Sequence, residues 1–242
     1  MTSPETPIVL KSVSKSYVTP PVLVVKEVSL AIRKGEFFCL IGPSGCGKST
    51  VIKMIAGIEA PTSGTIERPA RLGMVFQSYA LLPWLTVEDN VSFAAKMQGF
   101  APDKVAAVTA HYLRMVHLET FTERYPRELS GGQRQRVGIA RALAVEPNVL
   151  LMDEPFSALD PVMTDQLHDD VLRIWGETGK TIVMVSHNFA EAVRLADRVG
   201  IIKDGRLEGI VDLKLPRPRQ EDDAAFTAEV HNLRKRLEAP GA

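Results

Sequence analysis

Four short apolar runs, at 37–41, 73–76, 149–152 and 182–185, stand out along the chain, each giving way within two residues to glycine, serine or aspartate. They are continuous rather than alternating, the pattern of strands buried on both faces, and helical spacing fills the stretches between them. Together they predict an α/β fold with a mixed, mostly parallel core sheet covered by helices. The opening of the chain differs. Apolar runs at 8–13, 22–25 and 28–32, broken at Thr19-Pro20-Pro21 and Arg33-Lys34-Gly35, predict a small N-terminal antiparallel sheet leaning on that core. From about 87 onward the pattern is helical, with Phe93, Met97, Val105, Val108, Leu113, Val116 and Leu118 and no strand-like run. The expected organisation is one domain over 1–242, with a core at about 1–86 and 135–215, an inserted helical subdomain at about 87–134 and a C-terminal helical tail at about 216–242. In the tail, Phe226, Val230, Leu233 and Leu237 fall on one helical stripe.

Composition narrows the field without deciding it. The 242 residues are 45% hydrophobic and 24% charged, which excludes fibrous and disordered classes. The 29 basic and 29 acidic side chains cancel, so no overall field draws the chain to nucleic acid or to an anionic membrane. Cys39 and Cys46 lie too close along one strand-and-turn segment to staple a fold, which suits a reducing cytosol. No apolar run approaches the roughly 20 residues that span a bilayer, and residues 1–7 carry no signal-like apolar core. A membrane role would have to pass through a partner.

The chemistry starts after the first buried run. Gly42-Pro43-Ser44-Gly45-Cys46-Gly47-Lys48-Ser49 fits G-x-x-x-x-G-K-[ST], with a strand before it and a helix opening through Thr50, Val51 and Ile52 behind it. Glycines let successive N–H groups turn onto phosphate oxygens, and the helix start adds its positive end. Lys48 is placed to reach β- and γ-phosphates and the Ser49 hydroxyl to hold Mg²⁺. Cys46 in this loop reads either as a reactive, nucleotide-protected thiol or as passive filler. A phosphate loop needs an acidic strand, and 149–152 runs into Asp153-Glu154. Neighbours on a strand point to opposite faces, so Asp153 reads as a water-mediated Mg²⁺ ligand and Glu154 as the group that orients or deprotonates water. Two solvated acids at a strand end are the bland alternative.

Further segments narrow the reading. Leu129-Ser130-Gly131-Gly132-Gln133 resembles the signature motif of ATP-binding cassette (ABC) ATPases, Ser157-Ala158-Leu159-Asp160 resembles their D-loop, and His187, Gln77 and Tyr17 match their switch histidine, Q-loop glutamine and adenine-stacking aromatic. The order and spacing match from Tyr17 to His187 and beyond. The resemblance implies ATP and Mg²⁺ as ligands, with Gln77 sensing metal and γ-phosphate and joining the core to the helical subdomain. It implies that Ser130, Gly131, Gly132 and Gln133 of one copy close on the nucleotide of a second, with Asp160 nearby, in a head-to-tail dimer holding two ATP molecules. On its own, a Ser-Gly-Gly turn is an ordinary helix cap.

The stretch from Gly73 to Trp84 and the segment Leu215-Pro216-Arg217-Pro218-Arg219 resemble the nitrate/sulfonate/taurine importer branch. That branch implies two transmembrane permease subunits, indirectly an extracytoplasmic solute-binding protein, and a peripheral place on the cytoplasmic face of the inner membrane. Related systems carry pyrimidine vitamin precursors. DNA-repair ABC ATPases are the rival class, but no coiled-coil or zinc-bearing insertion interrupts this chain. One departure is visible: only 65–72 separates Pro61-Thr62-Ser63-Gly64 from Gly73-Met74, which places the local sheet edge in question.

Overall fold

The computed structural model describes residues 6–18 and 21–238. The Thr19-Pro20 break and the first five residues lie outside the described residues. The fold is α/β, and the chain divides into two compact units, 1–70 with 181–242, and 71–180.

In the first unit, β1 (Ile8–Val18) pairs antiparallel with both β2 (Pro21–Ile32) and β4 (Ser63–Glu67) in the order β2-β1-β4. The runs at 22–25 and 28–32 belong to one strand, not two. Val25 and Val28 are both buried, yet residues three apart in a regular strand face opposite sides. An irregularity at Glu27, with φ of 52°, absorbs the extra residue, and a second one at Ser12 has φ of 46°. Hydroxyls satisfy the displaced amides: Glu27 N–H donates to Ser14 Oγ and Ser12 N–H to Ser29 Oγ, each at 2.9 Å.

The same unit holds the parallel core. β3 (Phe37–Ile41) lies between β7 (Thr181–Ser186) and β8 (Arg198–Lys203), parallel to both, and β9 (Arg206–Asp212) closes antiparallel on β8. Asp204 and Gly205 make the two-residue turn of that hairpin with positive φ, as an Asp-Gly pair does readily. Every residue of β3 and β7 is buried, which explains their unbroken apolarity. Burying Phe37 and Phe38 completely is worth about 2–3 kcal/mol each. Around these strands lie α1 (Lys48–Ala56), α6 (Phe189–Leu195) and α7 (Ala224–Glu238), the last packed on α6 and β8 through Phe226 and Leu233.

Arg68 closes the shortened edge. Its guanidinium lies over Gly57, the C-cap of α1, and donates to the Ile55 carbonyl at 3.1 Å. The Arg217-Pro218-Arg219 segment clamps the end of α6. Arg217 donates to Leu195 O and to Asp197, both at 2.6 Å, while Arg219 donates to Val193, Ala196 and Leu215 carbonyls. Burial pushes the Arg219 pKa down to about 10, with Arg217 adding to the effect. Asp197 also accepts from Phe37 N–H at 2.9 Å, so the clamp reaches the first residue of β3.

In the second unit, β5 (Leu72–Val75) and β6 (Val149–Asp153) form a parallel pair. Helices α2 (Val87–Met97), α3 (Pro102–Met115) and α4 (Gly131–Ala144) pack on one another, and α5 (Pro161–Thr178) packs on α4. Asn90 is fully buried. Its amide accepts from Leu82 N–H and donates to the carbonyls of Leu82, Leu85 and Thr86 at 2.8–3.1 Å, fastening 82–86 to α2. Asn90→Leu keeps the branched shape but removes the amide and strands those backbone groups. It is expected to lower unfolding free energy by about 2–3 kcal/mol, read from the urea midpoint by circular dichroism; an unchanged midpoint would contradict this role.

Candidate nucleotide site

The phosphate loop begins where β3 ends, and its glycines are required by geometry. A Cβ on Gly42 would sit 2.1 Å from Ile202 O. One on Gly47, whose φ is 103°, would sit 2.8 Å from Val24 O. Gly47 is the N-cap of α1 and supplies no side-chain cap, so the helix start is left to backbone N–H groups, the arrangement that binds anions. Lys48 is only 4% exposed. Its ammonium donates to Gly42 O at 2.8 Å and Pro43 O at 2.9 Å, tying the loop's two ends together.

Cys46 is buried against the Gly42 backbone, and burial pushes its thiol pKa up despite the opposing pull of Lys48. Of the two sequence readings, the structure supports passive filler. Tyr17 is 41% exposed; its hydroxyl donates to the Glu59 carboxylate and is also hydrogen-bonded with Thr50, so β1 brings this ring beside the first turn of α1. Slight burial and Glu59 raise its phenol pKa. His187 follows the last residue of β7 and is exposed, immediately before the N-cap Asn188 of α6.

The second unit gathers another set. Gln77 Nε2 donates to Ser157 Oγ at 3.1 Å, and Ser157 Oγ donates to Glu154 O at 3.0 Å. Asp153 ends the buried β6, and Glu154 turns sharply with φ of 45°, a conformation that costs about 1–3 kcal/mol and is held by its surroundings. Asp160 caps α5, its Oδ1 accepting from Met163 N–H at 3.0 Å. Ser130 caps α4 in a reciprocal box: Ser130 Oγ accepts from Gln133 N–H at 3.3 Å, and Gln133 Oε1 accepts from Ser130 N–H at 2.9 Å. A Cβ on Gly131 would crowd Leu159 and the Tyr79 hydroxyl, and one on Gly132 would crowd Met163.

Sequence reasoning missed Arg141. It donates to the carbonyls of Tyr79 and Ala80, residues with φ of 61° and 49°, and so pins the bend that follows Gln77. Nothing in its spacing on α4 marks it out.

The family model described as ABC transporter matches residues 25–157. The chain belongs to the ABC transporter family. It is 44% identical over 205 residues to the nitrate import ATP-binding protein NrtD of Synechocystis sp., covering 81% of this chain and 77% of that protein. To NrtD of Synechococcus elongatus it is 39% identical over 225 residues, covering 87% and 82%. Among solved structures, a dimer of the ATP-binding cassette MJ0796 in a post-hydrolysis state bound to ADP and Pi aligns with a TM-score of 0.76 at 33% identity, covering 86% of this chain and all of that one.

This ABC cassette is therefore an ATPase. Gly47→Ala is expected to weaken ATP binding at least about tenfold in a fluorescent-nucleotide titration, because the new methyl must displace Val24 backbone at an unfavourable φ; parent affinity would contradict the geometry. A raised thiol pKa leaves less thiolate at any given pH. Alkylation of Cys46 in the folded protein is expected to be slower than that of a free cysteine at pH 7.5 and to climb only above the ordinary thiol range near 8.5.

Proposed function

We propose that this chain is the ATP-hydrolysing subunit of an importer for a small oxyanion or related solute, with nitrate first and sulfonate or taurine next. In this reading two copies assemble head to tail with two permease subunits on the cytoplasmic face of the inner membrane, and an extracytoplasmic binding protein delivers the solute. The observation that carries it is the presence on one chain of two helix starts suited to an anion: α1, entered through Gly47 and carrying Lys48, and α4, capped by Ser130. A loop that already surrounds its own phosphates has use for the second start only in another copy. Two-fold symmetry then makes two equivalent composite sites.

Lys48 and the first N–H groups of α1, from Ser49 and Thr50, take the β- and γ-phosphates, and Tyr17 stacks on the adenine. Ser130, Gly131, Gly132 and Gln133 of the second copy close on the γ-phosphate, with Asp160 beside them. Glu154 orients or deprotonates the attacking water, and His187 contacts the γ-phosphate as the switch. Ser49, Gln77 and Asp153 are the groups that would hold Mg²⁺, which would supply charge neutralisation at the phosphates. All three offer hard oxygen donors, the chemistry Mg²⁺ takes, and the Gln77 amide nitrogen is engaged by Ser157, leaving its carbonyl oxygen for the metal. Most of the catalysis is positioning and charge stabilisation.

Among the described residues no helix is long and apolar enough to cross a membrane. In this reading the stroke passes to a permease. A groove of about 390 Å³ in the second unit supports that contact. It is lined by Leu82, Phe93, Met97, Ala142 and Val145 with Arg141 at its side, and Trp84 on the neighbouring loop is 70% exposed.

Glu154→Gln is expected to keep ATP binding, lower hydrolysis at least about a hundredfold and give an ATP-dependent doubling of mass in size-exclusion chromatography with light scattering; parent turnover would remove Glu154 from its role. The solute is tested in membranes containing the cassette, its permease and binding protein. Nitrate is expected to stimulate ATP hydrolysis and accumulate in the compartment that holds the cassette. Stimulation by a pyrimidine precursor but not by nitrate, sulfonate or taurine would replace the solute and leave the ATPase reading standing.

A further inference from the structure

Ser186 and Glu191 are buried polar residues in the first unit, at 1% and 9% exposure, and neither carries an assigned role above. Ser186 is the last residue of β7 and pairs in register with Ile41, the last residue before the phosphate loop. Its Oγ donates to Glu191 Oε2 at 2.5 Å and accepts the Asn188 N–H at 2.9 Å. One hydroxyl therefore spends its proton on the carboxylate and turns a lone pair to the backbone two residues on. His187 lies between the two anchored positions. Asn188 is fixed once more from the far side, its Oδ1 accepting from Ala190 N–H at 2.9 Å.

Glu191 lies in the first turn of α6, which packs on β3; burial pushes the Cys39 thiol up, Glu191 adds to this and Lys48 opposes it. The carboxylate thus lies behind the strand that ends in the phosphate loop. A buried carboxylate is costly unless it is bonded, and α6 presents Glu191 towards Ser186 where an apolar residue would have satisfied packing.

We infer that Glu191, acting through the Ser186 hydroxyl, is a positioning residue for His187. The Glu191–Ser186–Asn188 chain fixes the peptide groups on both sides of the histidine in register with the last residue of β3, so the imidazole is held at a set height relative to the phosphate loop. This rests on His187 contacting the γ-phosphate. A simple helix-entry bond would stabilise the fold equally whether or not His187 is present, and that difference is measurable.

The test uses the full-length chain at saturating Mg²⁺ and measures kcat, KM for ATP and the thermal midpoint for Ser186→Ala, Glu191→Met and Glu191→Gln, each alone and with His187→Ala. Ser186→Ala and Glu191→Met are expected to lower kcat about tenfold with KM within about twofold. Glu191→Gln keeps an oxygen acceptor of the same reach and is expected to recover the rate to within about threefold of the parent. In the His187→Ala background none of the three should lower the residual rate further, because the group they position is gone. Parent-level kcat in Ser186→Ala overturns the inference, as does an equal fractional loss with and without His187, or Glu191→Gln as slow as Glu191→Met. If Glu191→Met fails to fold, Ser186→Ala, the smaller change, decides. Full activity in His187→Ala alone would instead retire the histidine's own role and the inference with it, an outcome distinct from a slow His187→Ala beside an unaffected Ser186→Ala.

Discussion

A lysine ammonium held almost out of water, with two backbone carbonyls as its partners, is the constraint on which the rest of this molecule turns. Such a charge is expensive to bury unless it is bonded, and Gly42 O and Pro43 O supply the bonds at 2.8 and 2.9 Å. For them to reach Lys48, the chain must double back within a few residues, which only glycine at 42 and 47 permits. The same reversal aims the start of α1 at one point in space. The binding of triphosphate by this cassette follows from that turn, and β3 with both its parallel neighbours exists to hold the turn still.

Those constraints explain which features were legible in the sequence. The phosphate loop could be read directly because it is a backbone requirement that allows few residue types; the acidic strand end took its meaning from that loop, and the signature turn, an ordinary helix cap on its own, from its resemblance to the ABC motif. The parallel strands could be read because burial on both faces leaves no polar position to interrupt them. The continuity of β2 could not, since it depends on a single extra residue at Glu27 and on hydroxyls from Ser14 and Ser29 across the sheet. Arg68 was equally silent, a lone basic residue in a shortened segment that caps α1 from a distance in sequence. Asn90, Arg141 and Glu191 belong to the same class: a single side chain meeting a distant or buried backbone leaves no periodic trace.

The Arg217-Pro218-Arg219 segment gives a mixed result. As a sequence it marked a resemblance to one branch. In three dimensions its two guanidiniums gather the carbonyls that end α6 and, through Asp197, the first amide of β3. The tail helix behind it buries Phe226 and Leu233 on the expected stripe, while Val230 and Leu237 remain half-buried. The segment after β9 thus braces the strand that carries the phosphate loop and the helix that follows His187.

The account as a whole depends on Lys48 of one copy and Ser130 of another acting on the same ATP, and mixing two inactive variants tests this most directly. Lys48→Ala removes the phosphate contact. Ser130→Asp keeps a good helix cap but sets a negative charge against the γ-phosphate. Each variant alone should be inactive. Mixed at equal concentration, they should recover about a quarter of parent ATP hydrolysis, since about half of the dimers are mixed and each of those regains one intact composite site. Hydrolysis in the mixture no greater than the sum of the two separate variants would show that each chain builds its site alone, and would contradict the account.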